Sequence, residues 1–213
     1  MSRLTDKLDD IAAKIRANLQ AKDAAREKAL PLCREAIRYC SQSIRAIHRQ
    51  QFDKAEDMLS SAQKLLADAG RALTAYDELK KHHALTDAQK EFAEGRITLA
   101  LITGQQLPTP EELAVTDAAY LNGLGETVGE LRRYILDGLR KGDFSRGEEL
   151  LQAMDDIYDV LVTMDFPDAI TGSLRRTTDM VRGVLERTRS DLTLTIQQKE
   201  LEDKLDSFKD KIR

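Results

Sequence analysis

Residues 120–131 read Tyr120-Leu-Asn-Gly-Leu-Gly-Glu-Thr-Val-Gly-Glu-Leu131, and this stretch sets the architecture we expect for the whole chain. Its apolar residues recur with the period of an amphipathic helix, and they alternate with Glu126 and Glu130. Three of its residues are glycine, although glycine destabilises a helix by about 1 kcal/mol relative to alanine. The glycines therefore indicate that another backbone or a ligand approaches closely, or that helices pack tightly.

The rest of the chain continues this helical pattern. Hydrophobic residues make up 41% of the sequence, and with four prolines and eleven glycines it has few of the turns that an all-β fold needs. We expect helices over about 5–48 with a kink or break at Pro31, 53–79, 86–104 with Thr86 as its N-cap, 111–114, 116–141, 145–164 and 171–213. Alternating charges from about 197 onward predict an exposed or frayed end. The sequence predicts one all-α domain over 1–213.

Charge and helix length limit the partners of this domain. A net charge of −4 excludes a general attraction for nucleic acid, so a polyanion would need a local basic surface. Long helices bury their apolar faces best beside one another or beside a partner chain. Residues 1–10 are polar, and no apolar run approaches the roughly 20 residues that span a bilayer. We therefore expect a cytoplasmic protein with no membrane partner.

Two pairs of glutamates have helical spacing. Glu91 and Glu94 are three residues apart and Glu126 and Glu130 four, so each pair lies on one helix face. If the two faces meet, their oxygens would suit Mg²⁺ or Mn²⁺, ions that can activate a water at a phosphodiester. Most acidic pairs of this spacing are solvated. The apolar neighbours of these two indicate burial, and buried carboxylates are paired, protonated or metal-bound.

Basic residues form two groups that could bind phosphates. Four arginines lie within an arc of about 60° on one helix face, opposite an apolar face, and these are Arg34, Arg38, Arg45 and Arg49. A guanidinium row suits a phosphate backbone, although an ordinary solvated face with salt bridges is the alternative. A second basic cluster precedes the first glutamate pair and consists of Lys80, Lys81, His82, His83 and Lys90. No nucleophilic triad, phosphate-binding glycine loop, zinc-ligand set or dinucleotide fingerprint is present.

Several segments resemble a known family in sequence and in order. Residues 91–94 read Glu-Phe-Ala-Glu, and residues 142–146 read Gly-Asp-Phe-Ser-Arg. Together with residues 43–49 and 120–131, they resemble the translin family, and in particular its translin-associated factor X branch. The resemblance covers roughly residues 20 to 200 and is strongest to the archaeal members, which consist of one kind of subunit.

The resemblance implies a translin-like bundle of about seven helices, several of them long, that assembles into a hollow homo-oligomer, an octamer. In the factor X branch a metal-dependent ribonuclease site lies on the inner wall. Carried over to this chain, its catalytic and metal-binding residues are Glu91, Glu94, Glu126 and Glu130. Translin itself binds single-stranded RNA and DNA without catalysis.

These observations lead to three hypotheses. The first is a Mg²⁺- or Mn²⁺-dependent endoribonuclease that cleaves single-stranded RNA inside a homo-oligomeric shell, with the basic groups as its nucleic-acid-binding residues. The second is a non-catalytic oligomer that binds single-stranded RNA or DNA, and the third is a helical scaffold whose acids pair with the arginine row. Glu126 stands where the family has Asp, and its extra methylene moves the carboxylate by about 1.5 Å. Catalysis therefore depends on Glu126.

Overall fold

The computed structural model describes residues 5–80 and 83–212, and within these ranges the chain forms nine α-helices and no strand. This confirms the all-α prediction. The helices are α1 (Leu8–His48), α2 (Phe52–Ala72), α3 (Asp77–Lys80), α4 (His83–Thr103), α5 (Pro110–Leu113), α6 (Asp117–Leu139), α7 (Gly147–Thr163), α8 (Asp168–Thr171) and α9 (Leu174–Ile212). The sequence pattern did not separate the single-turn helices α3 and α8 from their neighbours.

Pro31 does not break α1, which is one continuous helix of 41 residues that includes this proline. A proline inside a helix removes one backbone hydrogen bond. Burial on both sides of it offsets this loss, because Ala25 and Ala29 before it and Cys33 and Ala36 after it all lie in the core. Of the kink or break predicted at Pro31, the break is therefore absent, and α1 forms one long element along the domain.

The start of α4 also differs from the prediction. Thr86 was expected to cap this helix, but α4 already begins at His83. Leu85 is only 5% exposed, and Ala88 is fully buried. An earlier start places both residues on the core face of the helix, so burial decides the boundary rather than the capping preference of threonine.

The long helices form two groups that meet mainly along one seam. Helices α1, α2 and α4 pack together, and so do α6, α7 and α9, while α4 packs directly against α6. The turn at residues 142–146 fastens this arrangement, because Arg146 donates to the backbone carbonyls of Leu101 and Ile102 at the end of α4. Helix α9 continues beyond the body, and its residues 197–209 are exposed. Among the described helices, none is long and apolar enough to cross a membrane.

Candidate metal centre and nucleic-acid surface

The seam between α4 and α6 depends on a glycine. A Cβ added at Gly123 would lie 2.7 Å from the carbonyl oxygen of Lys90 and 3.0 Å from the amide nitrogen of Glu94. These are backbone atoms, so no side-chain movement could make room for it. The close approach predicted from the glycines therefore occurs between two backbones. It brings Glu126, which follows Gly123 by almost one helical turn, towards the glutamates of α4.

The other two glycines of this helix have different surroundings. A Cβ at Gly125 would collide with the side chain of Thr177 on α9, so tight helix packing also explains this position. A Cβ at Gly129 would have no described atom within 4 Å. Close packing therefore accounts for Gly123 and Gly125. Gly129, which lies between Val128 and Glu130 in the sequence, borders open space instead.

Three of the four predicted glutamates come together at the seam. Glu91, Glu94 and Glu126 each offer a carboxylate oxygen, and these three oxygens lie within 4.8 Å of one another. In an octahedral Mg²⁺ site with bonds of about 2.1 Å, adjacent ligand oxygens are about 3.0 Å apart and opposite ones about 4.2 Å apart. A small side-chain adjustment would bring the three oxygens to those distances. The donor set is all oxygen and partly buried, and it therefore fits a hard divalent cation.

Charge repulsion and burial perturb these carboxyl groups. Burial, followed by the charges of Glu91, Glu126 and Glu130, raises the pKa of Glu94 to about 8. Burial and the charge of Glu126 also raise the pKa of Glu91. Without a cation, Glu94 therefore holds a proton at neutral pH. A divalent cation bound among these groups would favour the ionised form and release that proton.

Lys90 is part of this cluster, although the sequence pattern placed it only among nearby basic residues. Its Nζ atom donates to Oε1 of Glu126 at 2.7 Å and lies 4.0 Å from Oε1 of Glu91. Burial lowers the pKa of Lys90, but the hydrogen bond and charge of Glu126 outweigh it and raise the pKa overall. The ammonium group thus neutralises part of the cluster at the position where the sequence has Glu126 in place of Asp.

Glu130, the fourth predicted glutamate, has a different partner. Its Oε2 atom lies 2.5 Å from Nε2 of His48 at the end of α1, and 3.8 Å from Nη1 of Arg133. It is not one of the three glutamates whose oxygens converge. The assignment of all four glutamates to one cation stays a prediction, since the protein's geometry divides them into three and one.

Sequence reasoning did not single out His48 as a site residue. The segment 43–49 that contains it contributed to the family resemblance, but no spacing rule relates it to Glu130, 82 residues away. Helical periodicity places residues only within one helix, whereas this pair joins two helices that are distant in sequence.

The arginine row lies on another side of α1. Cys40, on the core face of this helix, is close enough to Glu91 and Glu94 that their charges, after burial, help raise its pKa to about 12. The arginines are centred about 150° away from Cys40 around the helix and are exposed. They therefore do not share one surface with the glutamate cluster within a subunit.

Within the described subunit, the arginines do not pair with the four glutamates as the scaffold hypothesis requires. Arg38 pairs with Glu35 on its own helix at 2.8 Å. Arg34, Arg45 and Arg49 make no ion pair with any described residue, so the row is not bound to the four glutamates. Of the second basic cluster, Lys81 and His82 lie outside the described residues, Lys80 ends α3 and His83 begins α4.

Known proteins resemble the chain in sequence and in fold, although no family model matches it. An uncharacterised protein of Methanocaldococcus jannaschii is 30% identical over 189 residues, which span 88% of this chain and 83% of that protein. The protein in the crystal structure of AfC3PO is 36% identical to this chain in sequence, and the two folds match with a TM-score of 0.77. The match covers 88% of this chain and 97% of the AfC3PO chain.

Two further structures extend the comparison. The AfC3PO chain in a complex with duplex RNA is 35% identical to this chain in sequence, with a TM-score of 0.78. The match covers 88% of this chain and 97% of the AfC3PO chain. The crystal structure of apo-NeC3PO shares the fold, with a TM-score of 0.71 at 19% identity, and it covers 92% of this chain and all of that one. The motifs, the helical fold and these likenesses agree, and the chain belongs to the translin family.

Proposed function

We propose that this chain is a metal-dependent endoribonuclease that cleaves single-stranded RNA inside a hollow homo-oligomer, the octamer that the resemblance implies. The observation that carries the proposal is the convergence of Glu91, Glu94 and Glu126 within 4.8 Å across the seam. The structure of AfC3PO with duplex RNA supports RNA as the substrate class. Because that complex contains a duplex, the strand preference needs its own test.

The residues of the seam have distinct roles in this proposal. Glu91, Glu94 and Glu126 would hold the cation, which would supply an activated water and charge stabilisation at the phosphodiester. The Glu126 side chain reaches the cluster and accepts from Lys90, so its extra length is compatible with this role. With Glu126 on a cation, the ammonium of Lys90 would be free to bind a phosphate oxygen.

The arginine row binds RNA away from the cleavage site. Arg34, Arg45 and Arg49 are exposed and make no ion pair with the described residues, so their guanidinium groups can donate to phosphates. Because they lie on the side of α1 that faces away from the glutamates, they hold a part of the strand distant from the cleaved bond, or a strand that also contacts another subunit.

Cleavage of labelled RNA tests this function. Purified protein should cleave a single-stranded RNA in Mg²⁺ or Mn²⁺, cleave a duplex more slowly, and stop when EDTA is added. Glu126→Gln should lower the rate at least about 100-fold. Asp57→Asn, a change in an exposed acid of α2, is the matched control and should cleave like the wild type. Equal cleavage by both variants would indicate a contaminating nuclease and reject the proposal.

A second function is favoured by the pairing of Lys90 with Glu126. An internal ammonium group satisfies part of the acidic cluster without any ion. The chain would then be a non-catalytic oligomer that binds single-stranded RNA or DNA. Retention of RNA in a filter assay, with no cleavage in any divalent cation and no Mn²⁺ binding, would support this function over the first.

A further inference from the structure

We propose that His48 is a positioning residue that holds Glu130 outside the three-carboxylate pocket, where Glu130 accepts the proton of the attacking water. This inference rests on the proposed nuclease function and assigns separate roles to the predicted glutamates. Three of them bind the cation, and the fourth acts as the base. His48 itself touches neither the cation nor the RNA.

The position of Glu130 is the first observation. Glu126 and Glu130 lie one turn apart on the same face of α6, so spacing alone would allow both to enter one cation pocket. Only Glu126 joins Glu91 and Glu94. The Oε2 atom of Glu130 is held 2.5 Å from Nε2 of His48.

The burial of His48 is the second observation. Its side chain is 5% exposed, and it lies in the last turn of α1 next to the fully buried Ile47. Packing therefore limits the orientations of the imidazole ring. Nδ1 is buried and has no hydrogen-bond partner among the described residues, so the contact with Glu130 is the one polar contact that they offer to this ring. Packing thus fixes His48 in α1, and its contact with Glu130 fixes the position of that side chain on α6.

The remaining oxygen of Glu130 faces no competing partner. Oε2 is close to His48 and Arg133, whereas Oε1 makes no hydrogen bond with any described residue. The Glu130 side chain is 24% exposed, and it follows Gly129, where a Cβ would meet no described atom within 4 Å. Water or a strand of RNA therefore has room to approach Glu130.

The proton transfer follows from this arrangement. As the oxygen of a water forms a bond to phosphorus, one of its protons passes to Oε1 of Glu130. The bond from phosphorus to one ribose oxygen breaks, and that oxygen takes a proton from solvent. A hydrogen bond from Nε2 of His48 to Oε2 keeps the carboxylate aligned during the transfer.

Two substitutions at His48 separate positioning from simple loss of structure. His48→Leu removes the contact with Glu130, whereas the side-chain amide of His48→Gln can still donate a hydrogen bond to it. The full-length variants are assayed for cleavage of single-stranded RNA at saturating Mn²⁺, and for Mn²⁺ affinity by calorimetry. Glu126→Gln is the comparison for loss of a metal ligand.

We expect His48→Leu to lower kcat by about 10- to 100-fold, because a positioned base contributes on the order of 100-fold or more. KM and Mn²⁺ affinity should stay within about twofold of the wild type, and His48→Gln should recover most of kcat. Wild-type cleavage by His48→Leu would overturn the proposal. So would equal loss of kcat in both variants, or a loss of Mn²⁺ affinity in His48→Leu as large as in Glu126→Gln.

The same measurements distinguish this inference from the proposed function. A wild type that binds no Mn²⁺ and cleaves no RNA would reject the nuclease, and the role of Glu130 with it. A wild type that binds Mn²⁺ and cleaves RNA, with a fully active His48→Leu variant, would reject only the role of His48.

Discussion

The glutamate cluster and the arginine row are both groups of like charges at helical spacing, yet the glutamates come from two helices and their surroundings differ. The glutamates lie at a helix seam where burial and mutual repulsion raise the pKa of Glu94 to about 8. The arginines point into solvent, and one of them pairs with a neighbour on its own helix. Spacing alone does not separate the two patterns. Burial distinguishes the two patterns, because only the buried glutamate cluster needs a cation or a proton to offset its charge.

The largest effect should come from the glycine that creates the seam. Gly123→Ala forces apart the backbones of α4 and α6, because its Cβ would lie 2.7 Å from a carbonyl oxygen. We expect a loss of about 2–3 kcal/mol in the free energy of unfolding and loss of Mn²⁺ binding. Urea denaturation measures the first effect and calorimetry the second.

Gly129→Ala, on the same helix, is the matched control. Its Cβ would meet no described atom within 4 Å, so the change should stabilise the protein by up to about 1 kcal/mol. Equal destabilisation by both substitutions would mean that helix contacts at the seam do not depend on Gly123.

The next effect is a pH dependence of stability that only the glutamate cluster should show. The pKa of Glu94 rises from 4.5 to about 8 on folding, so the folded protein binds this proton more tightly than the unfolded chain. Its contribution to stability is complete below about pH 4.5 and is lost as the pH rises through about 8. In EDTA, wild type and Glu94→Gln should therefore be equally stable at pH 4. Glu94→Gln should be more stable at pH 9, by several kcal/mol, because each unit of pKa shift corresponds to about 1.4 kcal/mol.

Thermal denaturation across this pH range measures the difference. Arg45→Gln, in the exposed row, serves as the comparison and should follow the wild-type profile. A Glu94→Gln profile parallel to that of the wild type would contradict the burial of this carboxyl group.

A smaller effect is expected at the lysine inside the cluster. Lys90 donates to Glu126 at 2.7 Å, so a cation that binds Glu126 must displace its ammonium group. Lys90→Met should therefore bind Mn²⁺ several-fold more tightly, which corresponds to about 1 kcal/mol. Calorimetry at fixed pH measures this, with Lys90→Arg as the charge-conserving control. Weaker Mn²⁺ binding by Lys90→Met would show that Lys90 supports the site instead of competing for it.

The smallest effect should be on the arginine row. Arg45→Gln with Arg49→Gln should weaken binding of single-stranded RNA by a few-fold and reduce the salt dependence by about one unit of slope per arginine. Stability should change by less than about 0.5 kcal/mol, because both side chains are exposed. Binding that is unchanged at low and high salt would remove the row from the RNA-binding surface.

The fold was largely predictable because long helices carry a strong periodic signal. Two details differ from the structure, and both have a physical cause. The helix is not broken at Pro31, because buried residues continue on both sides of it within α1. Helix α4 begins before the expected cap at Thr86, because Leu85 is buried. Local preferences were outweighed by burial in both places, and burial depends on neighbours that are distant in sequence.

The candidate site was predictable only in part. Spacing and the family resemblance indicated the four glutamates, and the glycines indicated a close approach that Gly123 makes. The contacts of Glu126 with Lys90 and of Glu130 with His48 join different helices, 36 and 82 residues apart. Periodicity gives the face on which a residue lies, but the partner of that face depends on how the helices pack.

The proposed metal centre is tested most directly by the binding of Mn²⁺ to the wild-type protein and to Glu94→Gln at pH 7, measured by calorimetry in buffers of different ionisation enthalpy. With a pKa of about 8, Glu94 is mostly protonated before the ion binds. We expect the wild type to bind Mn²⁺ with release of nearly one proton, and Glu94→Gln to bind at least about tenfold more weakly without that release. Absence of Mn²⁺ binding, or equal binding and proton release in both proteins, would contradict a metal centre built on Glu94.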